Sequence, residues 1–481
     1  MLDAVRRSNH VVLRGWLLER RGALVMGLLG LIAFCLTVYV CAPGYMARDS
    51  GMQLEQARRF EFWDDHPIVM SLIWHYTDRI VPGPLGMLAL SSGLCWAGMS
   101  VLFWALPGPL LLRAVGLTLL GFFPPVFSVL PIILKDTLMQ GALLLGLACL
   151  VVPSRRAYRT RLALGLALFL IAIGVRHNAA AAVWPFLALP LLALPVLEQR
   201  ARALRLLIAC VASLALTFGM ARGLDKALSP ITHKTEFWQT TATFDLAAMS
   251  LRTGEVLVDP ESEVFGNGMG LNEIRKKFSV DYGPTLYYCL PFGGQRCAPV
   301  FRLTVDPEQL HLLSKNWLRA ILQHPVAYLR HRIQFARHLL NVSASSKELY
   351  YLEGAPHHRL AKAYPLTQRA TFVLAWIEGR FHAFWFLPVI YAALGCILVP
   401  VALVRHLRGS SALPLAYALS GLAYLLSVIV GASSTTYRYS TWTILCSLLG
   451  LITLFAFWAT ESFTTRAAAA PRGAERARTS D

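Results

Sequence analysis

Residues 162–197 read LALGLALFLIAIGVRHNAAAAVWPFLALPLLALPVL. As one helix at ~1.5 Å per residue, a run of this length would be nearly twice what a hydrocarbon core of roughly 30 Å requires. The run is apolar except near its middle, at Arg176-His177-Asn178. Two short membrane helices turning at that triplet explain both the excess length and the interruption. Lipid is therefore the solvent for this part of the chain, and the rest follows the same pattern.

Upstream, apolar runs long enough to span occur at about 23–42, 84–106 and 109–133, with a fourth from Thr137 to Val152. Downstream they occur at about 203–222, 381–404, 412–431 and 441–460. With the pair at 162–197 the sequence predicts an all-α polytopic membrane protein of about ten spans. The composition agrees. Of 481 residues 56% are hydrophobic and 15% charged, where a soluble domain carries about 25% charged. No small-residue cleavage site follows the first run, so it is expected to remain as a span. The tail from Thr464 is rich in Ala and Arg and is expected to be disordered.

A formal charge of +18 invites a nucleic-acid partner. The positions of the basic residues argue against one, because they fall mainly in short loops between apolar runs. Arg6, Arg7, Arg14, Arg20 and Arg21 place the N-terminus in the cytoplasm. Ten spans then put 107–113, 153–161, 198–205, 405–410 and the tail on the same side. Four of these five are basic, through Arg155, Arg156, Arg159 and Arg161, Arg200, Arg202 and Arg205, Arg405 and Arg408, and Arg466, Arg472, Arg476 and Arg478. Helix count and charge bias are independent, and they agree.

The outward segments are then 43–83, the turn near 135, 176–178, 223–380 and 432–440. The long one forms an outward domain between the seventh and eighth spans. Within it, 304–340 predicts two helices broken at His324-Pro325. The second has Val326, Leu329, Ile333 and Leu340 near helical spacing, among Arg330, Arg332 and Arg337, as suits a helix at the headgroup level. Residues 251–303 are expected to be mostly loop. The organisation is thus a membrane module at 1–222, the outward domain at 223–380, three spans at 381–460 and a cytoplasmic tail at 461–481.

Ionisable residues collect on the outward side: Arg48-Asp49-Ser50, Glu61 to Pro67 with Asp64, Asp65 and His66, Lys135-Asp136, Arg176-His177-Asn178 and Tyr437-Arg438-Tyr439. Such groups at membrane depth are costly and tend to be functional. Acids beside bases suit an anionic substrate and a proton-abstracting carboxylate. Plainer roles compete at every position. Asp49 could be a solvated loop residue, Asp65 a helix cap with Asp64 exposed, and Lys135-Asp136 an interfacial ion pair or cap. Arg176 could snorkel to headgroups and Arg438 could anchor an aromatic belt. It is the shared side that favours function. No paired-Cys or HExxH metal signature, phosphate-binding glycine loop or serine elbow is present. Most of the nine cysteines lie in apolar runs. Cys289 and Cys297 lie in the outward domain, where a disulfide across the intervening Pro/Gly turn competes with two buried thiols. Asn341-Val342-Ser343 matches a glycosylation sequon, a match frequent by chance.

This pattern resembles the GT-C superfamily of membrane glycosyltransferases, which includes protein O-mannosyltransferases and lipid A aminoarabinose transferases. Asp49 stands where those enzymes carry an acid after the first helix. Asp65-His66-Pro67 resembles their His-Pro or Lys-Pro-Pro element, with one proline rather than two. Asp136 occupies the place of the acid in the second outward loop, and Arg438-Tyr439 that of an Arg-Tyr pair before the last helices. WLRAILQHPVAYLRHR, Trp317 to Arg332, looks like a segment recurrent in bacterial members. The outward domain matches no named subfamily. The resemblance implies a polyprenyl-phosphate-linked sugar donor, an envelope glycan, lipid or protein acceptor, and a bacterial inner-membrane location. It implies Asp49 as general base, with Asp64, Asp65 or Asp136 assisting or holding a divalent cation. Lys135, Arg176 or Arg438 would meet the phosphate, with His66, His177, Asn178 and Tyr439 in the substrate site. A lipid-linked glycan flippase or a non-catalytic assembly factor remains the rival.

Overall fold

The computed structural model describes residues 2–152, 157–194, 197, 200–259, 262–265, 270–287, 299–342 and 359–469. Cys289 and Cys297, Ser343 of the sequon, Arg155 and Arg156, and the tail beyond Ala469 lie outside the described residues.

The chain is a polytopic membrane protein built almost wholly of helices. Among the described residues seven helices are long and apolar enough to cross a membrane: Arg21–Cys41, Leu85–Ala105, Tyr158–Val175, Arg202–Ile231, Pro388–Leu407, Leu413–Gly431 and Tyr437–Ser462. Their outer surfaces are apolar. Leu28 and Ile32 on the first, and Val211 and Phe218 on the fourth, are exposed. In water such stripes would be costly; against acyl chains they are not.

In chain order, α1 is Leu2–Cys41, α2 Arg48–Arg59, α3 Val69–Ile80, α4 Leu85–Ala105, α5 Leu110–Gly121, α6 Pro124–Phe127 and α7 Lys135–Val151. Then come α8 Tyr158–Val175, α9 Ala179–Leu192, α10 Arg202–Leu228, α11 Gln239–Thr253 and α12 Leu271–Lys277. The remainder are α13 Pro307–Gln323, α14 Pro325–Leu339, α15 Arg359–Ala363, α16 Gln368–Glu378, α17 Pro388–Leu407, α18 Leu413–Gly431 and α19 Thr441–Ala469. Two strands, β1 Phe62–Trp63 and β2 Thr232–His233, pair in parallel.

The break at Arg176-His177-Asn178 is found between α8 and α9, and that at His324-Pro325 between α13 and α14. Three expected spans are shorter than the rest: α5 has 12 residues, α7 17 and α9 14. The span expected over 109–133 is not continuous. Pro124-Pro125 cannot continue α5, since proline lacks the N–H and restricts its predecessor. The chain turns instead through α6 and returns as an extended piece, in which Tyr45 N–H donates to Pro131 O (2.8 Å) and Ile133 N–H to Tyr45 O (2.9 Å). The eighth span starts at Pro388 rather than at 381, because a 3-10 turn at Phe384–Phe386 precedes it. The last helix continues to Ala469, beyond the expected start of the tail. Residues 251–303 contain α12 and a 3-10 turn at Gly283–Leu286 besides loops.

α7 occupies the middle of the bundle, and small residues allow it. A Cβ on Gly98 of α4 would lie 2.6 Å from Leu145 N, and one on Gly165 of α8 would lie 3.1 Å from Gly146 O. Close backbone approach of this kind packs helices where the hydrophobic effect gives no drive. Asp136 to Leu144 are consequently buried without a gap. Lys135 and Asp136 thereby sit at one end of the bundle centre. That end also carries α2, α3 and the described residues between Ser229 and Arg380, and is the polar end below.

Candidate active site at the polar end

Five stretches of chain converge here, each held by local structure. The Tyr45 to 131–133 pairing sets the start of α2 beside the start of α7. Asp49 is in the first turn of α2 and Asp136 in that of α7, where a carboxylate is favoured by the helix dipole. Arg176 leaves α8 extended, with its N–H on Ala172 O at 3.0 Å. Arg438 lies in a 3-10 turn, Tyr437–Ser440, ahead of α19. Residues 279–287 brace the loop before it. Gly283 N–H donates to Ser433 O (2.7 Å), Thr435 N–H to Asp281 O (3.0 Å) and Thr435 Oγ1–H to Asp281 Oδ1 (2.6 Å).

The side chains form one ionic cluster. Arg438 Nη2 donates to Asp49 Oδ2 at 2.8 Å, and its Nε is 3.8 Å from Asp136 Oδ2. Arg176 Nη1 lies 2.7 Å from Asp136 Oδ1, which also accepts from Tyr424 Oη at 3.4 Å. Lys135 Nζ is 3.0 Å from His66 Nδ1, and His66 Nε2 is 3.9 Å from Asp49 Oδ1. The Tyr439 ring lies under both guanidinium groups, 4.3 Å from that of Arg176 and 5.3 Å from that of Arg438, within cation–π range. Asp136 is fully buried and Arg176 is 7% exposed. Arg176 Nε and Asp136 Oδ2 are buried with no hydrogen-bond partner among the described residues.

Burial would push the Asp49 carboxyl up, but Arg438, His66 and Lys135 outweigh it and hold the group far below the usual carboxylate range. Burial, helped by Lys135, brings His66 down to about 3 against the pull of Asp49. His66 is therefore neutral and Asp49 ionised near pH 7. With Lys135 donating to Nδ1, the remaining His66 proton is assigned to Nε2, facing Asp49. Three cations face two carboxylates, which leaves the cluster one positive charge.

Asp64 and Asp65 stand apart from it. Asp64 is not exposed: Oδ1 accepts the Thr235 N–H at 2.5 Å and the Thr235 hydroxyl, and Oδ2 accepts the Glu236 N–H at 3.2 Å. It ties the β1–β2 pair, so its lone pairs are already engaged. Asp65 does not cap α3, whose N-cap is Ile68. It accepts from His66 N–H (2.9 Å) and Gln56 Nε2 (3.0 Å), and burial raises its pKa. His177 is exposed and Asn178 half-buried. Neither side chain hydrogen-bonds to the cluster among the described residues.

A divalent cation fits this donor set poorly. Each carboxylate of the cluster already faces a guanidinium, and no group of three or more His, Cys, Asp or Glu comes together as ligands among the described residues. The arrangement is instead one for anions. Guanidinium and ammonium groups on a half-buried aromatic floor recognise phosphate, and a carboxylate stands beside them.

Tyr424 and a second buried ionic group were not read from the sequence. Asp245 on α11, fully buried, accepts from Arg332 Nη2 (2.8 Å) and Trp317 Nε1 (3.1 Å), with His331 Nε2 at 3.2 Å. Arg332 also donates to Ile429 O and Ala432 O at the end of α18. Arg332 thus turns inward, not to headgroups, and clamps α14 to the bundle. A lone acid in the apolar run FDLAAM was the available signal. No match to this chain is found among the known protein families, the curated proteins or the solved structures.

Proposed function

We propose that the protein is a membrane glycosyltransferase that moves a sugar from a polyprenyl-phosphate donor to an envelope acceptor. The observation that carries this reading is the convergence of Asp49 with Lys135, Arg176 and Arg438 at one end of the bundle. Ten spans are part of the proposal, with α5, α7 and α9 completing the seven longer helices. So is the orientation: both termini cytoplasmic, the polar end outward, in a bacterial inner membrane. The basic loops support it.

In this reaction the acceptor oxygen bonds to the anomeric carbon as the bond from that carbon to phosphate breaks. The proton passes to Asp49, and the polyprenyl phosphate leaves with the electron pair. Arg176, Lys135 and Arg438 would stabilise the charge that develops on it. Held so low by Arg438, Asp49 is a weak base before the donor arrives. A phosphate that draws Arg438 away would return its basicity. Base strength would then be coupled to occupancy of the donor site.

A carrier of lipid-linked glycans is the second reading, favoured by α5 and α9, which are too short to cross alone. Against it, the charged groups sit at helix ends rather than midway along them. A lipid-linked glycan profile of cells lacking the protein separates the two. A transferase leaves its donor accumulated on the outer leaflet and one sugar missing from an envelope glycan. Accumulation confined to the inner leaflet would overturn the proposal in favour of transport.

A further inference from the structure

Away from the cluster, the break between α13 and α14 meets the end of α11 and opens a hollow of about 320 Å³. Arg252, Gln323, His324 and Arg330 line it, and no acidic residue does among the described residues. Arg252 and Arg330 share it; Arg252 is held in place by Ala248 O (3.1 Å) and Gln334 Oε1, both uncharged acceptors. Burial and the neighbouring Arg330 both lower the pKa of the Arg252 guanidinium. Two like charges brought together without a carboxylate are destabilising unless an anion joins them.

What surrounds the hollow identifies the source of the anion. Leu322, Val326 and Leu329 are 71%, 61% and 59% exposed, and Ile333 continues the stripe along α14. The opposite side of α14 is fixed to the end of a membrane-spanning helix. Arg332 Nη1 donates to Ile429 O (3.2 Å) and Ala432 O (2.8 Å), where α18 ends, and α14 also packs against the turn at Tyr437–Ser440. The exposed stripe therefore lies at the depth where helix ends leave the hydrocarbon, as an interfacial helix does. A soluble anion would use the arginines and leave the leucines in water. A lipid uses both.

We propose that this hollow binds the phosphate of an anionic glycerophospholipid from the surrounding leaflet, with its acyl chains along Leu322, Val326, Leu329 and Ile333. The site does not depend on the transferase reading. Its volume, near the lower end for ligand sites, suits a headgroup rather than a whole lipid.

The test is native mass spectrometry of the full-length protein in neutral detergent, titrated with phosphatidylglycerol, phosphatidylcholine or inorganic phosphate. Phosphatidylglycerol should be retained well above phosphatidylcholine. R252Q/R330Q should bind it about thirtyfold more weakly, from two interfacial basic contacts, R252K/R330K should recover most of the affinity, and R337Q should match the unaltered protein. If R252Q/R330Q does not fold, L329E decides: it places an acid at an exposed position on the rim and should also weaken phosphatidylglycerol. Equal retention of the two lipids, or unchanged binding in both R252Q/R330Q and L329E, would overturn the proposal. So would displacement of phosphatidylglycerol by equimolar inorganic phosphate, which would mark a site for soluble anions.

Discussion

Replacing Arg438 with Gln and Asp49 with Asn, singly and together, measures the contact that organises the cluster. The pair is a charge-assisted hydrogen bond of 2.8 Å, with side chains 18% and 27% exposed. Bonds to charged groups contribute about 1.5–3 kcal/mol, and partial exposure places this one near the middle, at about 2 kcal/mol. Each single variant loses more, because R438Q strands Asp49 and weakens the field on Asp136, while D49N leaves Arg438 with Asp136, at 3.8 Å, as its remaining carboxylate. Tryptophan fluorescence in detergent across a denaturant series gives the four stabilities. The double variant should lose about 2 kcal/mol less than the two single losses summed. The pH dependence sharpens the test. Asp49 is held below its ordinary value, so its stabilisation is fully present above about pH 4 and is lost as pH falls further, toward the folded-state value. The advantage of the unaltered protein over R438Q should hold from pH 7 to about 4 and narrow below it. Additive losses within about 0.5 kcal/mol at pH 7 would refute the pairing, and with it the account of why Asp49 is ionised.

Two further substitutions test neighbouring contacts. His66 is brought down to about 3 in the folded protein, against about 6.5 for an unfolded histidine. The unfolded chain therefore takes up the proton first, and stability falls as pH drops from about 6.5 to 3. His66→Gln should flatten that part of the stability–pH curve; an unchanged slope would mean that His66 titrates normally. Arg332→Gln leaves Asp245 buried beside His331 and frees the Ile429 and Ala432 carbonyls. It should cost about 3–5 kcal/mol and raise hydrogen exchange at 432–436, whereas unaltered exchange there would show that the clamp does not brace this loop.

The helical skeleton was legible wherever a residue type alone forces the outcome. A polar triplet headed by an arginine is costly in hydrocarbon, so the turn at Arg176-His177-Asn178 is visible in the sequence, and the proline makes the helix break at His324-Pro325 equally visible. Pro124-Pro125 is an equally local signal: a proline pair interrupts a helix even in lipid, and it breaks the apolar run over 109–133 that reads as one span. In the cluster, the shared side of Asp49, Lys135, Asp136, Arg176 and Arg438 followed from topology. Which acid meets which base did not, because pairing depends on the Tyr45 to 131–133 contact and on the brace from 279–287 to 433–435. Asp64 and Asp65 are adjacent in sequence and equivalent in composition. Only the position of Thr235 distinguishes the first, and nothing local announces that partner. Asp245 looks ordinary within its own helix, and Arg332 reads as one more headgroup-facing arginine of α14; the pair becomes costly only once the two are buried together.

The most direct test of the central claim is the lipid-linked glycan profile of cells carrying D49N, set beside D64N and a deletion strain at matched protein levels. The account predicts that D49N reproduces the deletion, with the same sugar lost and the same donor accumulated. D64N, whose carboxylate ties Thr235 and Glu236 rather than the cluster, should retain transfer. Full transfer in D49N would contradict the account, and loss in D64N alone would move the base to the other end of the same loop.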